Sequence, residues 1–220
     1  MVENFEKKVS ISPSTLSLTL DELPAKIKEI EDLIEYIHID VMDGKFVSNQ
    51  TNGVEMFRVA KENSNKQLDV HLMVEKPLEE IEKYNGAEII TFHIEAFENQ
   101  EDVLKAFKMI RNMNAKVGIS IKPDTSVDVL KDILDELDMI LVMTVEPGLG
   151  GQKLIIEMLD KVSKLREMGF NKLIEVDGGI KTENASIVRN AGVDIIVAGT
   201  AVFGAENPRD AIRKIKGIEE

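Results

Sequence analysis

Cysteine is absent from this 220-residue chain. Without thiols the protein can form neither a disulfide nor a thiolate zinc site, a composition that fits a reducing compartment. The chain also lacks a run of 18 consecutive apolar residues, and residues 1–10 contain no apolar core of a signal peptide. We therefore expect a cytoplasmic protein that does not associate with a membrane.

Basic residues are scarce relative to acidic ones. The chain carries 27 Lys and Arg residues against 40 Asp and Glu residues, a formal net charge of -13. Such a surface repels nucleic-acid phosphates and anionic lipids, and no basic run offsets it. Neither a Walker A motif nor a dinucleotide fingerprint is present, so a nucleotide cofactor is not expected. An anionic ligand would need a local site of backbone N–H groups or a metal ion.

Strand-like and helix-like segments alternate eight times along the chain. The predicted strands lie near residues 8–12, 36–42, 68–74, 88–94, 116–121, 139–145, 173–177 and 194–199. The predicted helices lie near 21–34, 53–63, 77–84, 101–113, 126–135, 155–168, 182–191 and 208–216. This alternation, without a change in composition, predicts one domain over residues 1–220, a closed parallel (β/α)8 TIM barrel. A doubly wound open sheet is the alternative.

Titratable side chains recur on the predicted inner faces of the strands. With a period of two, His38 and Asp40 share one face of their strand, and His71 takes the same face of the next. Asp177 arrives from the seventh strand, and a buried charge is costly unless it is paired. Two imidazoles and two carboxylates suit one divalent ion of zinc, iron, manganese or cobalt. A buried hydrogen-bond network without metal is the alternative.

Two carboxylates on opposite sides of a barrel mouth also indicate acid–base chemistry. If Asp40 and Asp177 removed and returned a proton on opposite faces of a carbon, that centre would be inverted. Such a carbon must lie beside a carbonyl, so that a metal can stabilise the resulting enediolate. Met42, Met73 and Met143 would line this site, although methionines at these positions also suit plain core packing.

Glycine turns follow the last three predicted strands. They lie in residues 146–152 (EPGLGGQ), 177–179 (DGG) and 198–200 (AGT). One such turn is usually only a tight strand-to-helix connection. Three of them at the end of a barrel where phosphate is commonly bound predict a phosphate site of backbone N–H groups.

The sequence closely resembles the ribulose-phosphate 3-epimerases over nearly its whole length. The matching segments are residues 11–16 (ISPSTL), 38–44 (HIDVMDG), 70–77 (VHLMVEKP), 147–152 (PGLGGQ), 175–179 (EVDGG) and 197–204 (VAGTAVFG). The resemblance implies that D-ribulose 5-phosphate and D-xylulose 5-phosphate are interconverted in the pentose phosphate pathway. It implies one metal ion bound by His38, Asp40, His71 and Asp177. It also implies acid–base roles for Asp40 and Asp177, with Asp40 the proton acceptor from D-ribulose 5-phosphate.

The resemblance further implies the residues that contact the sugar phosphate. These are Ser14, His71, Gly148, Leu149, Gly150, Gly151, Gly178, Gly179, Gly199 and Thr200. Leu149 and Thr200 depart from the residues usual in the family. The similar allulose-phosphate 3-epimerases, which act on a six-carbon sugar, are the near alternative.

Two further functional classes are the alternatives to an epimerase. A non-catalytic phosphosugar-binding barrel would be expected to lack a ligand or an acid–base aspartate, and none is missing. A lyase or decarboxylase would want an Asp-x-Lys-x-x-Asp element, whereas residues 40–45 read DVMDGK. We expect the partner to be a small sugar phosphate and the protein to be a homo-oligomer.

Overall fold

Eight parallel strands form a closed barrel. The computed structural model describes residues 9–218, so the predicted start of the first strand at residue 8 lies outside it, as do residues 219–220. The strands are β1 Ser10–Ser12, β2 Tyr36–Met42, β3 Gln67–Met73, β4 Ile89–His93, β5 Lys116–Ile121, β6 Met139–Met143, β7 Leu173–Asp177 and β8 Ile195–Val197. Their order is β1-β8-β7-β6-β5-β4-β3-β2. A bridge between Ser14 and His38 joins the chain after β1 to β2, which confirms the predicted barrel over an open sheet.

Helices follow the strands on the outside of the barrel. The α-helices are α1 Leu23–Ile30, α2 Gly53–Asn63, α3 Pro77–Glu80, α4 Gln100–Asn112, α5 Leu159–Glu167, α6 Ala185–Asn190, α7 Thr200–Phe203 and α8 Pro208–Lys216. The short helix α7 was not predicted. Among the described residues, none of the helices has both the length and the hydropathy needed to cross a bilayer.

One predicted helix adopts a tighter form than expected. The segment predicted at 126–135 is a 3₁₀ helix, Val127–Glu136, in which Val127, Leu130 and Ile133 are buried. Their spacing of three matches the three residues per turn of a 3₁₀ helix, so one narrow stripe faces the barrel. The second half of the predicted helix 77–84 is also a 3₁₀ helix, in which Ile81 and Tyr84 are buried three residues apart.

The two faces of the strands have different partners, as their period of two predicted. The outward apolar side chains pack under the helices; Phe92 of β4, for example, lies with its ring centroid 6.0 Å from that of Phe107 in α4. Inside the barrel, the N-terminal end is filled by an apolar cluster of Tyr36, Ile89 and Met139 with Ile195. These four residues begin alternate strands, so they form one layer of the interior. Above this layer the interior is largely polar.

The substitution Phe92→Ala should test the outer layer. Phe92 is fully buried, and its loss leaves a cavity between β4 and α4, so the free energy of unfolding should fall by about 3–5 kcal/mol. The matched control is Leu104→Ala on the exposed side of α4, where Leu104 is 45% exposed. We expect that control to change stability by no more than about 0.5 kcal/mol. Urea unfolding followed by circular dichroism measures both values, and equal losses would contradict this packing.

Candidate active site

The four predicted metal ligands converge at the C-terminal end of the barrel. One ligand atom from each of His38, Asp40, His71 and Asp177 lies within 4.8 Å of the others. Strand geometry explains the meeting: His38 and Asp40 are two residues apart on β2, and the β2–β3 register pairs Asp40 with His71. Asp177 is the last residue of β7, on the far side of the barrel mouth. The sequence prediction that these side chains share one site is thus consistent with the fold.

Each of the two histidines leaves one buried nitrogen facing the carboxylates. His38 Nε2 and His71 Nδ1 have no hydrogen-bond partner among the described residues. His38 Nε2 lies 3.6 Å from Asp40 Oδ1, and His71 Nδ1 lies 3.7 Å from the same oxygen and 3.9 Å from Asp177 Oδ2. A tetrahedral site with zinc–nitrogen and zinc–oxygen bonds near 2.1 Å has edges of about 3.4 Å. The unpartnered nitrogens and these spacings fit a divalent metal ion.

The opposite nitrogen of each imidazole is held by a second polar side chain. His38 Nδ1 lies 2.6 Å from Asp69 Oδ2, an oxygen that also accepts a hydrogen bond of 3.0 Å from Ser12 Oγ. His71 Nε2 lies 2.9 Å from His93 Nε2. Such outer contacts orient metal-binding histidines. Asp69 and His93 were not among the predicted site residues, although the period of two places Asp69 on the same face of β3 as His71.

The two proposed acid–base carboxylates have different electrostatic surroundings. Burial alone would raise the pKa of Asp40, but the adjacent imidazoles of His38 and His71 hold it well below its usual range. Burial and the nearby Asp40 carboxylate raise the pKa of Asp177 to about 6. Asp40 also accepts a hydrogen bond of 2.6 Å from Ser14 Oγ through Oδ2, whereas its Oδ1 faces the imidazoles. One carboxylate therefore offers its two oxygens to different partners.

A further buried carboxyl group lies below this centre. Glu175 is fully buried, and neither of its oxygens has a hydrogen-bond partner among the described residues. Burial, reinforced by the negative charge of Asp69, raises the pKa of Glu175 well above its usual range. Conversely, burial would raise the pKa of Asp69, but His38 lowers it. The pKa values of the two neighbouring acids are thus shifted in opposite directions, and burial costs less when only one member of such a pair is charged.

A cavity of about 340 Å³ opens above the ligand cluster. Its lining includes the predicted residues Ser14, Asp40, Met42, Met73, Met143, Gly148, Leu149, Gly150, Gly151, Asp177, Gly178, Gly179, Gly199 and Thr200. His71, which was also expected to contact the substrate, is fully buried and lies outside this lining. Sequence reasoning missed Leu16, Asn49 and Lys181, which line the same cavity. Leu16 ends the motif at residues 11–16, and Lys181 lies two residues after the Gly178–Gly179 turn, so the sequence near each of them already indicated the site.

Two glycines bring the backbone after β7 to the cavity wall. Gly178 and Gly179 have positive φ angles of 119° and 69°. A Cβ atom at Gly178 would overlap the side chain of Val145, and one at Gly179 would overlap the backbone of Leu154. Thr144 Oγ1 donates a hydrogen bond of 2.6 Å to the carbonyl oxygen of Gly178 and so fastens the turn. This close packing requires glycine at both positions.

Comparisons with known proteins agree with the geometry. The model of the "Ribulose-phosphate 3 epimerase family" matches residues 10–203. The ribulose-phosphate 3-epimerase of Bacillus subtilis (strain 168) is 38% identical over 217 residues, covering 95% of this chain and 99% of that protein. The corresponding Synechocystis enzyme (strain ATCC 27184 / PCC 6803 / Kazusa) is 39% identical, covering 96% of this chain and 94% of its own.

Solved structures of lower identity show the same barrel. A 3-hexulose-6-phosphate synthase superposes with a TM-score of 0.71 at 16% identity, covering 97% of this chain and all of that one. The KGPDC of Streptococcus mutans superposes with a TM-score of 0.74 at 17% identity, covering 96% of this chain and 97% of that one. At these identities the likeness concerns the fold alone.

Metal binding should weaken as the pH falls. Protons compete with the metal for imidazole and carboxylate ligands, and in the metal-free protein Asp177 becomes protonated as the pH drops through its raised pKa of about 6. We expect the affinity of metal-free protein for Zn²⁺ to be lower one pH unit below that value than one unit above it. Isothermal titration calorimetry measures this, and the variant His71→Ala should bind almost no metal at either pH. An affinity that is the same at both would contradict the assigned ligands.

Proposed function

Because the chain belongs to the ribulose-phosphate 3-epimerase family, we propose that it interconverts D-ribulose 5-phosphate and D-xylulose 5-phosphate at C3. The observation that carries the proposal is that Asp40 and Asp177 line one cavity and each place a carboxylate oxygen within 4.8 Å of the same two buried imidazoles. Two carboxylates in such a position can reach opposite faces of one carbon. Inversion at C3 requires that arrangement.

The reaction divides between the two aspartates. From D-ribulose 5-phosphate, Asp40 accepts the C3 proton, and the electron pair moves into the adjacent carbonyl to give an enediolate. Asp177 then delivers a proton to the opposite face of C3, and the carbonyl re-forms with inverted configuration. In the reverse direction the roles are exchanged. The hydrogen bond from Ser14 Oγ orients the Asp40 carboxylate, and the Asp177 side chain is 18% exposed, so both are suited to act at the cavity floor.

His38, Asp40, His71 and Asp177 would hold the divalent ion. When bound, it supplies positive charge that stabilises the developing enediolate. This donor set of two imidazoles and two carboxylates accepts zinc, iron, manganese or cobalt. Three buried methionines contribute apolar volume beside the reacting carbon and limit the access of water; they are Met42, Met73 and Met143.

We assign the phosphate group to the glycine turns after β6, β7 and β8. Backbone N–H groups of Gly178, Gly179 and Gly199 can donate there. The short helix α7 begins three residues after the end of β8, a common phosphate-binding arrangement in barrels. The exposed ammonium of Lys181 lines the same cavity and adds the positive charge that the acidic surface lacks. A volume near the lower end of typical ligand pockets suits a pentulose phosphate.

Three properties of the whole protein complete the proposal. We propose that residues 1–220 form a single domain, because the strands and helices of one barrel run through nearly the whole chain. The absence of cysteine supports a cytoplasmic location. Exposed apolar side chains such as Val129 and Ile187 support a homo-oligomer. Light scattering with in-line size separation tests the last point.

The variant Asp177→Asn should separate the two half-reactions. It removes the group that acts on D-xylulose 5-phosphate, so C3 proton exchange in that epimer should be lost. Asp40 is intact, so solvent deuterium should still enter C3 of D-ribulose 5-phosphate. Net epimerisation should fall by at least ~10²–10⁴-fold, the usual contribution of a positioned acid or base. Proton NMR of both epimers in deuterium oxide measures the exchange.

The comparison requires two controls. Metal content is determined alongside activity, because Asp177 is also a proposed ligand. The exposed Asp160 of α5 provides the matched substitution, Asp160→Asn, which should leave both exchange rates unchanged. If Asp177→Asn with full metal content keeps net epimerisation within threefold of the unmodified protein, the two-base mechanism is refuted.

Phosphate on the substrate should be required for efficient turnover. The glycine turns bind a group remote from C3, and such binding energy is used to position the reacting carbon. Unphosphorylated ribulose should therefore show a kcat/KM lower by orders of magnitude than D-ribulose 5-phosphate. D-Allulose 6-phosphate, assayed in parallel, distinguishes the hexulose alternative, which predicts the higher kcat/KM for that sugar. Equal values for ribulose and its phosphate would contradict the assigned anion site.

A further inference from the structure

A hydrogen-bonded network of three polar side chains, His71, His93 and the partly buried Glu95, runs away from the ligand cluster. His71 Nε2 lies 2.9 Å from His93 Nε2, and the two rings are stacked with centroids 5.0 Å apart. His93 Nδ1 in turn lies 3.1 Å from Glu95 Oε2. Both imidazoles are fully buried, and Glu95 follows directly after β4 in the 3₁₀ turn Ile94–Ala96. The epimerisation described above assigns no task to His93 or Glu95.

The far end of this hydrogen-bonded network is a carboxylate oxygen that can only accept hydrogen bonds. Glu95 Oε1 accepts hydrogen bonds from Thr125 Oγ1 and from the backbone N–H of Lys122, the latter at 2.7 Å. Burial would raise the pKa of Glu95, but the bonds from His93, Thr125 and Lys122 hold it at about 2. The ionised carboxylate has no proton to donate, so His93 must donate to it from Nδ1.

The hydrogen bond from His93 Nδ1 to Glu95 fixes the direction of the hydrogen bond between His93 and His71. A neutral imidazole carries one proton, and the neutral form is favoured where the ring is fully buried. With that proton on Nδ1, His93 presents an acceptor at Nε2. The facing nitrogen, His71 Nε2, must then be the donor, because a single proton occupies the contact between the two rings. His71 Nδ1 is consequently left without a proton, and it is the nitrogen that faces Asp40 and Asp177.

We propose that His93 and Glu95 are positioning residues that select the tautomer of His71 whose Nδ1 is free to bind the metal ion. The proposal rests on the metal site proposed above. In this proposal Glu95 orients His71 as Asp69 orients His38. Asp69 contacts its histidine directly, whereas the imidazole of His93 lies between Glu95 and His71. Which ring nitrogen of a histidine is free for a metal depends on the hydrogen bond of the other.

Neighbouring residues hold the side chains of Glu95 and His93 in place. Lys161 Nζ donates hydrogen bonds to the carbonyl oxygens of Lys122, Pro123 and Thr125, at 2.8, 2.7 and 2.7 Å. It thereby fastens the loop that supplies the two donors to Glu95. On the other side the ring of Phe46 packs against that of His93, with the two ring centroids 4.9 Å apart. The carboxylate and the imidazole are thus fixed from both sides.

The variant Glu95→Gln reverses the proton pattern with little change in shape. The glutamine oxygen can still accept from Thr125 and Lys122, and its amide nitrogen then faces His93 Nδ1 as a donor. The proton of His93 must move to Nε2, which in turn donates to His71 Nε2. The proton of His71 is forced to Nδ1, where the metal would bind. We expect affinity for Zn²⁺ to fall about 10–100-fold, the usual effect of losing such an outer partner.

The tautomers can be read directly in the metal-free protein. Two-bond ¹H–¹⁵N correlation spectra distinguish a protonated from an unprotonated ring nitrogen, and the chain has only three histidines to assign. In the unmodified protein we expect protons on His71 Nε2 and His93 Nδ1, and in Glu95→Gln on His71 Nδ1 and His93 Nε2. Chelator competition gives the Zn²⁺ affinity of each protein.

Two control variants separate this effect from a general loss of structure. Thr125→Val removes one hydrogen bond to Glu95 but keeps its charge, so the tautomers should be unchanged. Glu98→Gln changes an exposed carboxylate three residues further on and should alter neither the tautomers nor the affinity.

A proton on His71 Nδ1 in the unmodified protein would overturn the proposal, whether or not Glu95→Gln folds. Native tautomers in a folded Glu95→Gln, or an affinity within threefold of the unmodified protein, would also overturn it. None of these measurements uses substrate. A protein with the expected tautomers and Zn²⁺ affinity but no epimerase activity would therefore contradict the proposed function and leave this assignment intact.

Discussion

Burial of ionisable side chains inside a closed barrel is the constraint on which the rest of this structure depends. A nitrogen or oxygen that is buried in this interior costs free energy when it is left without a hydrogen-bond partner or a metal ion. His38 and His71 each meet this requirement at one nitrogen through a protein partner and present the other to the carboxylates. The two nitrogens without a protein partner are therefore the strongest structural indication of a metal ion.

The strands and the loops make separate contributions to the site. The register between β2 and β3 brings Asp40 beside His71, and β7 brings Asp177 from across the barrel, so the proposed acid–base groups lie on rigid elements. The proposed anion site, in contrast, consists of turns, in which Gly178 and Gly179 let the backbone approach the cavity closely. Fixed strands suit proton transfer, which depends on short distances, and backbone donors suit a remote phosphate group.

The outer partners of the ligands extend the site well below and beside the cavity. Asp69, held by Ser12, supports His38 from the layer beneath, and Glu95 supports His71 through His93 from the loop after β4. Both routes end in a carboxylate, and they fix opposite ring nitrogens of the two histidines. The centre therefore depends on residues that the cavity does not expose.

Local sequence patterns were sufficient for the fold and for the inner face of the strands. The eightfold alternation predicted the barrel, and the period of two placed His38, Asp40 and His71 inside it, because both depend only on neighbours along the chain. The 3₁₀ form of Val127–Glu136 was missed although its spacing of three was visible. The partners of the histidines could not be obtained in this way. The contacts of Asp69 with Ser12 and His38, and of His93 with His71, join residues 57, 31 and 22 positions apart. Such contacts follow from the register between strands and from barrel closure, which only the folded structure determines.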